Sequence, residues 1–300
     1  VRASGGSLLA TTGIGQHRGA RESARHVKVV LSGEGADETL GGYSWYRTLS
    51  WLAPLFLLPR ALRGALARVP PIARRWPGAA HTLAGPRDMG FDRYSRSVTH
   101  LPSQRIAERV ATPQALAAMR AGADANPDEL PLPPDFIRWH PFARMQYLDL
   151  RHRMGDGVVA SLDRASMAHS IEARVPFLDH ELVEFCARIP PDVKLRNGIE
   201  KHVLRRAMTN VLPDEIAQRP KFAMHVPVGR WLRGPLPEFA REALSAASLR
   251  ASGYFVPGAV EELLGRHRAG REDCGQAISA VLTVELWDRL FRRPRTPADA

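Results

Sequence analysis

The sequence predicts an α/β fold that has one short parallel strand and many helices. Residues 27–31 form a β-branched run (Val-Lys-Val-Val-Leu), which is typical of a strand buried on both faces. A glycine-rich acidic turn and a helical segment follow directly, so residues 27–50 are expected to form a strand–turn–helix unit. Apolar residues recur at helical spacing in residues 142–189 and 277–291, and few other β-rich runs exist.

The turn after the predicted strand carries three carboxylates within five residues. Residues 32–38 are Ser-Gly-Glu-Gly-Ala-Asp-Glu, with the acids at Glu34, Asp37 and Glu38. Glycines let the backbone turn tightly and approach a bound group, and the free N–H groups of a helix start favour anions. Because carboxylates repel phosphate, the acids favour a metal ion or a proton acceptor beside a phosphate. The alternative is a turn whose acids cap the helix and favour its dipole.

The flanking segments carry weaker patterns. Residues 1–26 are rich in Gly, Ser and Arg with weak periodicity, which predicts a loop. Residues 51–140 are rich in Pro, Arg and Ala and predict irregular helices joined by proline-containing turns, with a clear break at residues 131–134.

The second half of the chain predicts helices. Apolar residues, among them Leu182, Phe185 and Ile189, recur at helical spacing from Phe142 to Ile189. A turn at residues 175–179 interrupts this pattern. Further helices are expected over Lys201–Met208 and after Pro213. A long amphipathic helix is expected over Ala277–Phe291, with a buried side formed by Leu282, Leu286, Trp287 and Leu290.

Composition narrows the class of protein. An apolar content of 44% with 24% charged residues is ordinary for a soluble globular protein. The net charge of +11 comes mainly from dispersed arginines without a nucleic-acid motif, which favours a solvated surface over a nucleic-acid partner. No apolar run approaches the ~18 residues of a membrane span. Cys186 and Cys274 form no metal or redox motif and fit a reducing cytoplasm, and Cys186 is expected in the core.

Blocks of residues in order resemble the signatures of the asparagine synthetase family. The resemblance is close over residues 27–50 and 142–292 and loose between them. The blocks are Ser32–Glu38, Leu162–His169 running into Glu172–Asp179, Lys201 with Leu204-Arg205, Leu212-Pro213, Arg219-Pro220-Lys221-Phe222, Pro227 and Trp231, and finally His267, Gly270 and Leu286-Trp287.

The resemblance implies a partial synthetase domain of a glutamine-dependent amidotransferase over residues 1–300. Its implied fold is an α/β parallel-sheet domain of the pyrophosphatase (adenine nucleotide α-hydrolase-like) type with an extensive helical C-terminal part. The implied reaction uses ATP and Mg²⁺ to convert aspartate into asparagine through a β-aspartyl-AMP intermediate, with ammonia from glutamine. The implied partners are these small molecules, an N-terminal glutaminase domain of the same full-length protein and a second copy in a homodimer, with no nucleic acid or membrane.

The same resemblance implies roles for individual residues. Glu34 would take a proton from the attacking ammonia or organise the adenylate, and Lys221 would stabilise charge on the leaving pyrophosphate. The AMP portion and the phosphates would contact Ser32, Gly33 and Arg174, and Asp37 would be a Mg²⁺ ligand. Alternatives remain: Asp37 as a helix cap, Lys221 as an exposed loop lysine, and a buried ion-pair scaffold of Glu172, Asp179 and Arg164 around the turn at residues 175–178.

Departures from the family pattern leave three alternative functions open. The family's first nucleotide loop, Ser-Gly-Gly-x-Asp-Ser, and its glutaminase domain are absent, and Ser4–Ser7 resembles that loop only by coincidence. With no initial methionine, the sequence is expected to be a fragment that is inactive alone. Ser161 stands where the family usually has a basic residue that faces phosphates. The alternatives are an amidotransferase for another carboxylate (a cell-surface saccharide or secondary-metabolite precursor), a tRNA-modifying ATPase of the same fold, and an inactive remnant.

Overall fold

A computed structural model describes residues 12–75, 108–124, 132–221 and 226–292, together with Ala80 and Leu83. The first described part contains helix α1 (Thr12–Ser23), strand β1 (Val29–Leu31), and helices α2 (Ala36–Leu40), α3 (Ser44–Leu52), α4 (Arg60–Ala67) and α5 (Pro70–Arg75). The middle part contains α6 (Pro113–Asp124), α7 (Pro141–Leu148), a π-helix (Asp149–Val159), α8 (Ala160–Met167), β2 (Glu172–Arg174), α9 (His180–Arg188), α10 (Pro191–Lys194), α11 (His202–Ala207) and α12 (Asp214–Ala217). The last part contains α13 (Val228–Arg233), α14 (Glu238–Ala243), α15 (Ala246–Ser252), α16 (Pro257–Arg268) and α17 (Gly275–Phe291). Short 3₁₀ turns lie at Ala53–Leu57, Phe136–Arg138 and Pro176–Leu178.

The protein is a mostly helical α/β structure with a small parallel sheet, as predicted in outline. Strand β1 pairs in parallel with β2, with Val29 opposite Glu172 and Leu31 opposite Arg174. The expectation that the first strand is buried on both faces is wrong: Val29 is 39% exposed and Leu31 is 75% exposed. Burial of a parallel strand requires elements packed on both faces, and among the described residues the sheet has two strands and leaves Leu31 uncovered.

Helix α1 corrects a second expectation, because residues 1–26 were predicted to be a loop. The segment has three glycines, which weaken helices in isolation. It is nevertheless helical from Thr12 to Ser23 and packs against α8, with Gly13 and Ala20 buried. Tertiary packing has overridden weak local propensity. Residues 1–11, including Ser4–Ser7, lie outside the described residues.

The middle of the chain follows the predicted helical pattern with two differences. Cys186 is buried on α9 as expected, but Phe185 beside it is 63% exposed. Helices α7 and α8 are joined by the π-helix rather than by a continuous α-helix. A π-helix is rare and concentrates at functional sites, and no residue pattern in the sequence announces it.

The C-terminal helices enclose their own apolar core. Leu249 of α15, Val260 and Leu263 of α16, and Ile278 and Val281 of α17 form its centre. The long final helix is confirmed, but its most buried face differs from the predicted leucine side. That face also carries Glu285 and Asp288, which are hydrogen-bonded to the hydroxyl groups of Ser248, Ser252 and Tyr254. In the described part of the chain, no helix has the length and apolarity that crossing a membrane requires.

A second apolar cluster lies beside the end of α2 and contacts a buried lysine, Lys194. Its buried members are Tyr46, Phe136, Phe142, Met145, Leu148 and Leu195. The Lys194 Nζ atom donates to Gln146 Oε1 at 2.8 Å, and the Gln146 amide in turn donates to the backbone carbonyls of Glu38 and Thr39. Burial lowers the pKa of Lys194 from 10.5 to about 8.

This buried lysine predicts a pH dependence of stability. The folded protein loses the Lys194 proton near pH 8, whereas the unfolded chain keeps it until about pH 10.5. The free energy of unfolding should therefore rise between these values, by roughly 2 kcal/mol from pH 7.5 to 9.5. Urea unfolding at both pH values should show this increment in the wild type and not in Lys194→Met. An equal increment in the variant would contradict the assignment.

Candidate active site

The acidic turn lies at the carboxyl ends of the two parallel strands. The Ser32 N–H donates to the Arg174 carbonyl oxygen at 2.8 Å, which fixes the start of the turn beside the end of β2. Gly35 follows with φ of 93°, and a Cβ atom there would lie 2.5 Å from the Leu178 side chain. The turn therefore requires glycine at position 35 and delivers Asp37 into the first turn of α2.

Two lysines meet on the carboxylate of Asp37. The Lys221 Nζ atom lies 2.5 Å from Asp37 Oδ1, and the Lys201 Nζ atom lies 3.0 Å from the same oxygen. All three side chains are about one quarter exposed, between 23% and 25%. Two ammonium groups on one carboxylate leave a net positive charge that solvent only partly screens. The cluster therefore suits an anion.

Opposing effects set the protonation of this carboxylate. Burial raises the pKa of Asp37, but the hydrogen bond from Lys221 and the charges of Lys201 and Lys221 together outweigh burial and hold the pKa below its usual value of 3.8. Asp37 is therefore ionised at neutral pH, and it keeps both ammonium groups in place.

Lys201 is the site residue to which sequence reasoning assigned no role. It belongs to a block that resembles the family, yet only the structure brings it to Asp37. Its backbone has φ of 51°, a conformation that non-glycine residues rarely adopt. Strain of this kind gathers at functional sites, but a sequence gives no sign of a dihedral angle. The scarcity of lysine was the one signal in the sequence that could have pointed to Lys201. The lysines of the chain are Lys28, Lys194, Lys201 and Lys221.

Tyr43 forms one wall of the lysine cluster. The Lys221 Nζ atom lies 4.7 Å from the centre of the Tyr43 ring, and the Arg153 guanidinium lies 4.3 Å from that ring. The Tyr43 hydroxyl donates to Glu38 Oε1 at 2.6 Å, and Arg153 Nη1 lies 3.4 Å from the same oxygen. Glu38 is 2% exposed. Glu38 is therefore a buried structural acid that pairs with Arg153 and Tyr43.

The π-helix places Arg153 against this wall. Its first residue, Asp149, is fully buried and accepts hydrogen bonds from Trp45 Nε1 and the Tyr46 hydroxyl. Arg153 lies one turn later, 3.9 Å from the Asp149 carboxylate. Asp149 and Arg153 together hold the aromatic side chains of this wall, including Tyr43, whose ring lies against the Lys221 ammonium group.

Glu34 lies in a separate polar chain. Its Oε1 atom accepts a hydrogen bond from Gln16 Nε2 on α1 at 3.2 Å, and Gln16 Oε1 accepts one from the Ser161 hydroxyl on α8 at 3.1 Å. The Glu34 N–H also lies 3.4 Å from Ser32 Oγ. Within the described residues, the side chain of Glu34 thus contacts a neutral amide, whereas Asp37 contacts the lysines.

Arg174 and Glu172 form a surface ion pair at the end of β2. The Arg174 Nε atom lies 2.8 Å from Glu172 Oε1, and both side chains are exposed. The hydrogen bond and charge of Glu172 raise the pKa of the Arg174 guanidinium. The backbone of Arg174 adjoins Ser32, and its exposed side chain pairs with Glu172. Asp179, by contrast, caps α9 by accepting from the N–H groups of Glu181 and Leu182. The alternative of a buried ion-pair scaffold is wrong, because Glu172, Asp179 and Arg164 are all exposed.

In this structure the Asp37 carboxylate faces two ammonium groups, which disfavours a magnesium ion held by protein side chains alone. Mg²⁺ prefers several oxygen ligands in octahedral geometry. Across the described ranges, no three His, Cys, Asp or Glu side chains are close enough to share a metal ion. The Asp37 carboxylate already carries two ammonium groups, whose charge opposes a cation. The assignment of Asp37 as a Mg²⁺ ligand stays a prediction.

Gly42 makes the position of Asp37 testable. A Cβ atom at residue 42 would lie 1.7 Å from Asp37 Oδ1, so Gly42→Ala must push the carboxylate away from its lysines. We expect a loss of about 1–3 kcal/mol in the free energy of unfolding, as for other overpacked sites. Gly33→Ala is the matched control, because nothing lies within 4 Å of its Cβ position. Thermal unfolding of both variants measures this, and equal melting temperatures would contradict the geometry.

The fold and the site define an α/β protein whose candidate site lies at the carboxyl ends of parallel strands, where such proteins bind ligands. A sequence model of the family described as asparagine synthase matches residues 7–289. The chain belongs to the asparagine synthase family. This membership confirms the resemblance inferred from the motifs.

Individual relatives agree with the family. The chain is 33% identical over 275 residues to a Mycobacterium tuberculosis protein provisionally named glutamine-hydrolyzing asparagine synthetase, covering 91% of this chain and 41% of the relative. It is 30% identical over 268 residues to asparagine synthetase (glutamine-hydrolyzing) 1 of Bacillus subtilis, covering 89% and 41%. It is also 27% identical over 298 residues to the amidase chry2 of Gibberella zeae, covering 90% and 42%. The chain thus spans about two fifths of the length of these relatives.

Proposed function

We propose that this chain is the ATP-using part of an amidotransferase, with a fold of the pyrophosphatase type. ATP activates a substrate carboxylate as an acyl-adenylate and releases pyrophosphate, and ammonia then displaces AMP to form an amide. The observation that carries the proposal is the convergence of Lys201 and Lys221 on Asp37 at the carboxyl ends of the strands. A half-buried pair of ammonium groups suits the phosphates of ATP and the leaving pyrophosphate.

The adenylation step is assigned to the lysine cluster. Negative charge accumulates on the β- and γ-phosphates as the bond to the α-phosphorus breaks. Ammonium groups already held in place by Asp37 lower the energy of that charge without reorganising at the moment of reaction. Ser32 and Gly33 would hold the AMP portion, and the open space at Gly33 leaves room for it. Arg174 would contact phosphate.

The amide-forming step is assigned to Glu34. As the nitrogen of ammonia bonds to the acyl carbon, the carbon–oxygen bond to AMP breaks and its electron pair leaves with the phosphate oxygen. The nitrogen must also lose a proton, and the Glu34 carboxylate would accept it. Glu34 is suited to this because its contact within the described residues is a neutral amide rather than a lysine.

The names of the relatives support a proposal for the acceptor carboxylate. Aspartate is our first proposal, because the Bacillus subtilis and Mycobacterium tuberculosis relatives are named asparagine synthetases. The alternative acceptor is a carboxylate other than aspartate, and the similarity to a protein named amidase supports this alternative. The same proposal includes a glutaminase domain that supplies ammonia and Mg²⁺ bound with the phosphates of ATP. It also includes a homodimeric assembly and a cytoplasmic location.

Product analysis tests the proposed function. The full-length protein is incubated with ATP, ammonium, Mg²⁺ and either aspartate or a panel of sugar and amino-acid carboxylates. We expect equal amounts of amide, AMP and pyrophosphate with one carboxylate. Formation of ADP and phosphate in place of AMP, or no turnover with any carboxylate while ATP binds, would refute it. Omission of ammonium is the control, since the amide should then disappear.

A further inference from the structure

Gln16 joins three separate segments at Glu34. It lies on α1, accepts a hydrogen bond from Ser161 on α8 at 3.1 Å, and donates one to Glu34 in the acidic turn at 3.2 Å. Both polar ends of its amide group are therefore used. A glutamine that only covered the surface would not connect a candidate proton acceptor to a hydroxyl on another helix.

The charge of Glu34 fixes the orientation of this amide. An ionised carboxylate only accepts hydrogen bonds, so the Gln16 NH₂ group must face it, and the amide oxygen must face Ser161. The Ser161 hydroxyl then donates, as the observed contact requires. The opposite orientation would place the amide oxygen against a negative carboxylate.

The same three groups satisfy one another after Glu34 gains a proton. A protonated carboxyl group can donate to the amide oxygen, and the NH₂ group can then face Ser161, whose hydroxyl also accepts. A half-turn of the Gln16 amide therefore exchanges one complete set of hydrogen bonds for another. Neither state leaves a partly buried polar group without a partner, which would be costly.

We propose that Gln16, supported by Ser161, is a positioning residue that holds Glu34 in both of its protonation states during amide formation. This inference rests on the proposed function, in which Glu34 takes a proton from the attacking ammonia. It also gives Ser161 a role, although a basic residue was expected there. A neutral hydroxyl at position 161 acts through the amide and leaves the negative charge of Glu34 available for the proton.

The kinetic test separates the two half-reactions in the full-length protein with ammonium as the nitrogen source. Gln16→Met keeps the length of the side chain and removes both hydrogen bonds. We expect it to lower the kcat of amide formation about tenfold, the order of one hydrogen bond to a charged group. Aspartate-dependent exchange of pyrophosphate into ATP, and the KM for ATP, should stay within about twofold.

Matched variants distinguish positioning from a general structural role. Ser161→Ala should lower amide formation about threefold, whereas Ser161→Thr, which keeps the hydroxyl, should restore it. Gln276→Met changes an exposed glutamine on α17 and should match the wild type. Unchanged amide formation in Gln16→Met overturns the inference. An equal fall in both half-reactions together with a lower melting temperature overturns it as well.

A spectroscopic measurement keeps the inference testable apart from activity. The side-chain amide resonance of Gln16 in nitrogen-labelled protein is identified by its disappearance in Gln16→Met. Glu34→Gln and Ser161→Ala should each shift this resonance, and Gln276→Met should not. If neither Glu34→Gln nor Ser161→Ala shifts the Gln16 resonance, the inference is overturned even if the protein forms the amide. A wild-type protein with no amide formation and no pyrophosphate exchange refutes the proposed function, and the resonance shifts then decide whether the hydrogen-bonded chain exists.

Discussion

Glu34→Gln in the full-length protein should lower the rate of amide formation about 10²–10⁴-fold, the usual effect of losing a positioned acid–base group. The amide side chain has nearly the same shape as the carboxylate but cannot accept the proton from ammonia. The fold should persist, because Glu34 is a partly exposed turn residue whose side chain bonds Gln16. Stopped assays with ammonium and aspartate measure the rate.

The control for this prediction is Glu22→Gln, which removes an exposed carboxylate from α1. Its rate should equal that of the wild type, and any glutaminase activity should survive in both variants. If Glu34→Gln forms the amide at the parental rate, Glu34 is a residue of the helix start that supports the dipole, and the assignment of the proton acceptor is wrong.

Lys221→Ala should slow adenylation about 10²–10³-fold, which corresponds to about 2.7–4 kcal/mol for the loss of one donor to developing charge. Lys221 follows Pro220 and reaches Asp37 over the Tyr43 ring, so its ammonium group is aimed before substrate arrives. A positive charge placed where negative charge accumulates stabilises the transition state more than it stabilises bound ATP. The maximal rate of pyrophosphate exchange should therefore fall more than the KM for ATP rises.

Lys28→Ala provides the comparison, because Lys28 is exposed and lies just before β1. We expect a normal rate and a change in stability within about 0.5 kcal/mol. A normal exchange rate in Lys221→Ala with a raised KM would reduce Lys221 to a binding contact. No change in either quantity would make it an ordinary loop lysine.

Local patterns predicted the strand–turn–helix unit because its causes are local. β-Branched residues favour extended backbone, and the glycines allow the tight turn that Gly35 makes with its positive φ. The exposure of Leu31 was not predictable, since burial depends on what packs over a strand. For the same reason α1 was missed: its glycine-rich sequence becomes helical through contact with α8.

The site could be predicted residue by residue but not as an arrangement. The motifs pointed to Asp37 and Lys221, yet they gave no reason to place the Lys221 ammonium on the Asp37 carboxylate or to add Lys201. Gln16 could not be found at all, because it lies in a segment that was predicted to be a loop. Contacts between residues far apart in the chain depend on the fold, and a linear pattern does not specify them.

The acyl-adenylate intermediate can be tested directly by the transfer of labelled oxygen. The full-length protein is given ATP, ammonium and a substrate whose carboxylate oxygens carry a heavy isotope. If the carboxylate attacks the α-phosphorus, one labelled oxygen must leave with AMP when ammonia displaces it, and mass spectrometry of AMP will show it. Label found in inorganic phosphate, or AMP formed with the amide but without label, would rule out the acyl-adenylate intermediate.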